Sequence, residues 1–152
     1  MSNGDIVDVL ELTAKLLELH GADAFKIKSY SIAGFYIDKY KEAELKDLSL
    51  AQLVKIQGIG KSMAAKIVEI VNTGTFADLE ELLQKTPAGV LDMFQIKGIG
   101  PKKIALIWHE LGIENLSDLE QACLRGEISK LKGFGGSIQQ KIIDSLAFLK
   151  EQ

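Results

Sequence analysis

Apolar residues recur along this chain at intervals of three and four, the spacing that gives a helix one buried face. Over residues 5–20, Ile6, Val9, Leu10, Leu16 and Leu17 share such a face, and His20-Gly21 supplies a glycine suited to the left-handed helix end. Asp23 can cap a second helix running towards Asp38. Ser49 with Gln52 has the spacing of a reciprocal capping box ahead of LAQLVKI. Between Lys61 and Asn72, Met63, Ile67, Ile70 and Val71 fall on one face, with Ser62, Lys66 and Glu69 on the other. Thr75 with Asp78 predicts the start of FADLEELLQK, and Thr86-Pro87 reads as a cap followed by proline at the first helical position before AGVLDMFQI. Ser117 with Glu120 predicts a further box, Gly126 its helix end, and a last helix runs from about Gly136 to Lys150. No segment alternates as a strand would. The expected fold is all-α.

One phrase interrupts the helices three times. IQGIGKSMAAKI, from Ile56, returns as IKGIGPKKIALI, from Ile96, and as LKGFGGSIQQKI, from Leu131. Gly98 lies 40 residues beyond Gly58, and Gly133 a further 35. Each copy reads helix, apolar-x-Gly-apolar-Gly, helix, so three helical hairpins are predicted. Glycine reaches the backbone conformations of so short a turn cheaply. The apolar residue between the glycines (Ile59, Ile99, Phe134) pins the turn to the helix pair. Without a Cβ in the way, amide N–H groups and the next helix N-terminus can face an anion together. Lys61 follows the first hairpin and Lys102 and Lys103 the second; the third has Gly136-Ser137 there, with Lys132 before it, and is the poorest of the three. Gly58, Gly60, Gly98, Gly100, Gly133 and Gly135 are therefore candidate phosphate contacts.

Charge sharpens this reading. The net charge of −3 argues against a nucleic-acid partner until it is resolved along the sequence. Residues 23–66 hold eight lysines against five acids, and residues 97–103 hold three lysines and no acid. Both bands contain a hairpin, and local potential governs phosphate binding because distant exposed charges are screened. The 152 residues, 47% of them hydrophobic, can bury one core or two small ones. A single thiol, Cys123, permits no internal disulfide and fits a reducing compartment. No run approaches the roughly 20 apolar residues that span a bilayer, and MSNGDIVDVL lacks the features of a signal peptide. A cytoplasmic protein without membrane contact is expected. His20, His109 and Cys123 form no ligand set, and no cofactor is required. Phe35, Tyr36 and Tyr40 could stack on bases, but their mixture with Ile32, Ile37 and Leu45 predicts core.

The hairpins resemble helix-hairpin-helix units, which bind DNA backbone without reading sequence. FKIKSYSIAG followed by IQGIGKSMAAKIVEIVNTGTFADLEEL is similar to the small lyase-type domain of family X DNA polymerases, the polymerase beta group. FQIKGIGPKKIALIWHELGIENLSDLEQA is similar to the adjoining fingers region, and members that also carry a PHP phosphoesterase domain resemble the chain most. The resemblance implies a lyase-like helical domain over residues 1–85 and a fingers-like domain with the third hairpin over residues 86–152. It implies a DNA-repair role on gapped or 5′-phosphorylated DNA, one hairpin on the downstream strand and one on the primer. It also implies Na+ or K+ held by main-chain carbonyls around Ile56, Gly58, Ile96 and Gly98. The polymerase palm would follow Gln152, so this chain by itself is not expected to polymerise DNA. A protein-contact module built from the same hairpins is the alternative.

The resemblance further makes Lys66 a Schiff-base nucleophile for removing a 5′-deoxyribose phosphate, Lys26 a phosphate ligand and Tyr30 an active-site tyrosine. Lys28 and Lys61 add charge to that pocket. The chemistry needs an unprotonated amine, which neighbouring cations favour. Phe25, Ser31 and Ser62 stand where family members carry further basic residues, so the expected site holds a 5′ end without cleaving it. The blander expectation leaves Lys66 solvated and paired with Glu69 one turn on.

Overall fold

The computed structural model describes residues 1–152, which form nine α-helices, three short 3-10 turns and no strand. Two compact units divide between Gln84 and Lys85. The first holds α1 (Asn3–Leu19), α2 (Ala24–Lys39), α3 (Leu50–Leu53), α4 (Lys61–Thr73) and α5 (Ala77–Gln84); the second holds α6 (Ala88–Asp92), α7 (Pro101–Leu111), α8 (Leu116–Leu124) and α9 (Gly136–Lys150).

In the first unit α1 packs along α2 and also meets α4 and α5. Ile6, Leu10 and Leu17 of α1, Tyr30, Ala33 and Ile37 of α2, and Ile67 and Ile70 of α4 are buried there. The α1 start lies earlier than the apolar pattern indicates, because Ser2 and Asp5 form a capping box. Asp23 caps α2, and Ser49 with Gln52 caps α3, as the sequence predicts. In the second unit Val90, Met93, Ile104, Ile107, Leu119 and Ile142 form the buried centre. Cys123 is buried with them, and burial pushes its thiol up to about 11, which keeps it protonated and inert.

Four sequence expectations are corrected. Thr75 and Asp78 form no capping box. The Ala77 amide donates instead to Glu69 Oε2 at 2.8 Å, Asp78 turns towards α2, and Thr75 Oγ1 is buried without a partner. Pro87 rather than Thr86 occupies the α6 cap position, its extended backbone (φ −58°, ψ 141°) delivering the carbonyl to the Val90 and Leu91 amides. Asn115, not Ser117, caps α8, accepting from the Asp118 amide at 2.8 Å. Phe35 is not core: it is 53% exposed, with Ile32 at 45%, while Tyr36 and Tyr40 are half-buried.

Candidate nucleic-acid interface

The three hairpins share one backbone path. Gly58, Gly98 and Gly133 adopt φ of 86°, 95° and 83°, a left-handed region that L side chains avoid. At Gly58 packing adds to this, because a Cβ would lie 2.5 Å from the Tyr36 ring. The turn is closed by the amide of the apolar residue, Ile59 donating to the Ile56 carbonyl and Phe134 to that of Leu131, both at 3.1 Å. The second glycine is different. Gly60, Gly100 and Gly135 cap α4, α7 and α9 from extended backbone that any residue adopts, and a Cβ on any of them would meet nothing within 4 Å. Nothing within the protein requires glycine there. No side chain caps these three helices, so their first amides are left to an outside acceptor.

At the first hairpin these elements line a groove of about 460 Å³. Lys28 and Phe25 enter from α2, Gly58 and Gly60 from the hairpin, and Lys61 and Lys66 from α4. Phe25, 82% exposed, stands on its rim. Beneath it lies a cluster that joins three helices. Tyr30 of α2 is fully buried, donates its hydroxyl to Asp78 Oδ2 of α5 at 2.8 Å and accepts from Lys66 Nζ at 3.0 Å. Lys66 Nζ also lies 3.5 Å from Asp78 Oδ2 and 5.0 Å from the centre of the Tyr30 ring. Lys66 therefore pairs with Asp78 rather than with Glu69, whose carboxylate is spent on the start of α5.

Burial and the hydrogen bond to Asp78 push the Tyr30 phenol above its ordinary value, so it remains an O–H donor. The same hydrogen bond, with Lys66 and Lys26 adding to it against the effect of burial, holds the Asp78 carboxyl below 3.8. A lowered folded-state value contributes stability above the unfolded value and loses it as pH falls through the folded one. Asp78→Asn is expected to flatten the acid limb of the melting-temperature profile below about pH 4. Melts in buffers from neutral to strongly acidic check this, and an acid limb identical to wild type would mean that the pair adds nothing to folding.

The second unit places its residues differently. Gly98 borders a groove of about 350 Å³ with Lys97, Lys141, Asp144, Ser145 and Phe148, so α9 flanks the second hairpin. The Lys97 amide donates to Ser145 Oγ at 3.2 Å. Lys102 is exposed on the first turn of α7, whereas Lys103 Nζ sits 5.2 Å from the Phe134 ring centre, which joins the second and third hairpins. Lys26 lies outside the first groove but close enough to act on Asp78. His109 is exposed and stacks on Trp108, with ring centres 4.3 Å apart. Lys141 went unnoticed in the sequence, and Asp78 was read there only as a helix cap; each is joined to its site by tertiary packing. No cluster of His, Cys, Asp and Glu could hold a metal ion, and no helix is long and apolar enough to cross a membrane.

Repeated hairpins with open helix N-termini define a class, and comparison with known proteins agrees. A helix-hairpin-helix domain profile matches residues 1–76 and a SAM-like helix-hairpin-helix tandem profile matches residues 90–147. The chain belongs to the helix-hairpin-helix family. It is 31% identical over 149 residues, 96% of its length, to DNA polymerase/3′-5′ exonuclease PolX of Bacillus subtilis (strain 168). It is also 30% identical over 118 residues, 77% of its length, to DNA polymerase lambda of Rattus norvegicus. The matched parts are 25% and 19% of those relatives, so the chain spans at most a quarter of either. It corresponds to the amino-terminal region of a family X DNA polymerase.

Proposed function

We propose that the chain is the DNA-gripping part of a family X repair polymerase, holding gapped or 5′-phosphorylated DNA by its backbone. The observation that carries this is the second hairpin glycine. At Gly60, Gly100 and Gly135 neither backbone strain nor packing excludes a side chain, yet all three are bare and stand before uncapped helix starts. A phosphate approaching the amides needs that space. In the first groove Lys28, Lys61 and Lys66 add charge around the position a terminal 5′-phosphate would take, with Lys26 behind them. Lys102, Lys103 and the hairpin of Gly98 and Gly100 would serve the other strand, and Gly133 and Gly135 a further phosphate. The main-chain carbonyls of Ile56, Gly58, Ile96 and Gly98 fit Na+ or K+ in this reading: that of Ile56 accepts one amide and keeps a second lone pair. The polymerase palm and a PHP phosphoesterase domain belong to the remainder of such a polymerase, and its setting is the cytoplasm.

Binding should be independent of sequence and fall steeply with salt, since each neutralised phosphate contributes about −0.9 to the log–log slope on duplex DNA. Replacing Lys102 and Lys103 together by alanine should flatten that slope by up to about two units. Lys102 should account for more of the change, because Lys103 is tethered over Phe134. Fluorescence titrations with gapped duplex at several salt concentrations measure this. Absence of binding at low salt would assign the hairpins to protein contacts instead.

A further inference from the structure

We infer that α9 completes the strand site of the second hairpin: Lys97 and Lys141 hold a DNA phosphate beside Gly98, next along the strand from the one offered the amides of α7. The inference rests on the proposed reading of the hairpins as DNA grips, and it gives a helix of the third hairpin a part in the second. The three turns share a backbone path but differ in what covers their first glycine. The Tyr36 ring and Ile32 lie over Gly58, whereas a Cβ on Gly133 would meet nothing within 4 Å. At Gly98 the cover is a lysine. A Cβ there would sit 3.5 Å from Lys141 Cδ and 3.7 Å from its Cβ, so the Lys141 stem crosses the turn. With Lys97 it lines the groove of about 350 Å³.

The remaining walls suit an anion on a chain. The Lys97 amide donates to Ser145 Oγ at 3.2 Å, which ties the turn to α9. Having accepted that bond, the Ser145 hydroxyl keeps a proton to donate to a phosphate oxygen. Neither lysine forms an ion pair. Lys97 Nζ instead sits 5.8 Å from the Phe148 ring centre, a weak attraction at an exposed site. Two like charges on one groove repel, and an anion between them relieves the repulsion. Asp144 is the one acid lining the groove, and its Oδ1 accepts from Gln140 Nε2 at 2.9 Å. Against it stand Lys141 and the acid-free band of residues 97–103 with its three lysines. The exposed Phe148 ring offers the adjoining sugar or base an apolar face. A DNA strand running on from the α7 start satisfies the charge and the ring together.

The test titrates whole-chain variants with fluorescent gapped duplex over a series of salt concentrations. Lys97→Gln and Lys141→Gln should each flatten the log–log slope by about one unit. Melting temperatures should not move, because both side chains are exposed. Lys141→Arg should keep the slope. Asp144→Asn should tighten binding about threefold, the scale of one exposed charge pair. Lys150→Gln is the control, since it removes the same charge from the same helix. Lys150 lies outside the groove, paired with Glu120 at 2.6 Å, so the slope should stay as it is. Amine acetylation read by peptide mass spectrometry needs no variant: bound DNA should protect Lys97 and Lys141 and leave Lys150 reactive. A slope unchanged by both Lys97→Gln and Lys141→Gln overturns the inference. If replacing Lys102 and Lys103 still flattens it, the DNA reading of the hairpins stands. Equal flattening by Lys150→Gln also overturns the inference, as does acetylation of Lys97 and Lys141 that bound DNA leaves unaltered. A wild-type chain that binds no DNA at low salt sinks both.

Discussion

Replacing Gly60 and Gly100 together by aspartate is expected to leave the protein at least as stable as wild type and to weaken its hold on gapped DNA about a hundredfold. The two effects have opposite signs because they arise at the same atoms. Both positions are helix caps in extended backbone, φ −92° and −109°, with no atom within 4 Å of an added Cβ. Aspartate there accepts from the first-turn amides, a cap interaction worth about 1 kcal/mol, and its charge suits the helix dipole. Those amides are the ones offered to phosphate, so the carboxylate occupies the position and repels the ligand. A charge-assisted hydrogen bond contributes about 1.5–3 kcal/mol, so even at the lower figure loss at two hairpins amounts to about a hundredfold. Thermal melts paired with DNA titrations provide the readout. A stable double variant with wild-type affinity would remove both helix starts from the interface. Aspartate at Gly58 would be uninformative by contrast, since φ 86° and the Tyr36 ring at 2.5 Å would disturb the fold itself.

That contrast marks how far the sequence could be read. The hairpins were legible because each is a contiguous phrase whose first glycine answers a local constraint, and its threefold repetition separates it from an ordinary helix end. Local caps were legible for the same reason: Asp23 and Ser49 bond to amides two and three residues away. What distinguishes the first glycine of each pair, strained at 58, from the second, open at 60, is a matter of coordinates and had no sequence signal. Asp78 was misread because its position three residues after Thr75 imitates a box, whereas its partners are Tyr30, 48 residues away, and Lys66 on another helix. Asn115 lies two residues before Ser117, and its side chain, accepting from the Asp118 amide, caps the helix. Phe35 was placed in the core because it stands among Ile32, Ile37 and Leu45, without regard to the face it occupies. The face α2 buries is Tyr30, Ala33, Gly34 and Ile37, whose two small residues mark the side facing α1. Phe35 falls on the opposite side. Small residues at helical spacing were the better guide to the buried face.

Gly89→Ala is expected to cost the second unit about 3 kcal/mol or more, a penalty in the range of severe core overpacking. Nothing local to the sequence foretells this. Gly89 sits inside α6, where alanine is ordinarily favoured over glycine by about 1 kcal/mol. The sign reverses because a Cβ would lie 1.9 Å from the Glu114 carbonyl oxygen and 2.9 Å from the Asn115 Cα. Those atoms are backbone, fixed where Asn115 caps α8, so no side-chain rotation relieves the clash. Either α6 or the start of α8 must move, with Val90 and Leu119 in the buried centre. The variant should melt in two steps, the second unit at lower temperature and residues 1–84 near their wild-type transition. Its DNA binding should keep the contribution of the first groove and lose those of the second and third hairpins, leaving a flatter salt slope. Gly126→Ala is the control: its φ of 72° strains alanine, but open space surrounds the Cβ, so about 1 kcal/mol is expected there. A Gly89→Ala protein melting like wild type would mean that α6 and the start of α8 do not approach this closely in solution.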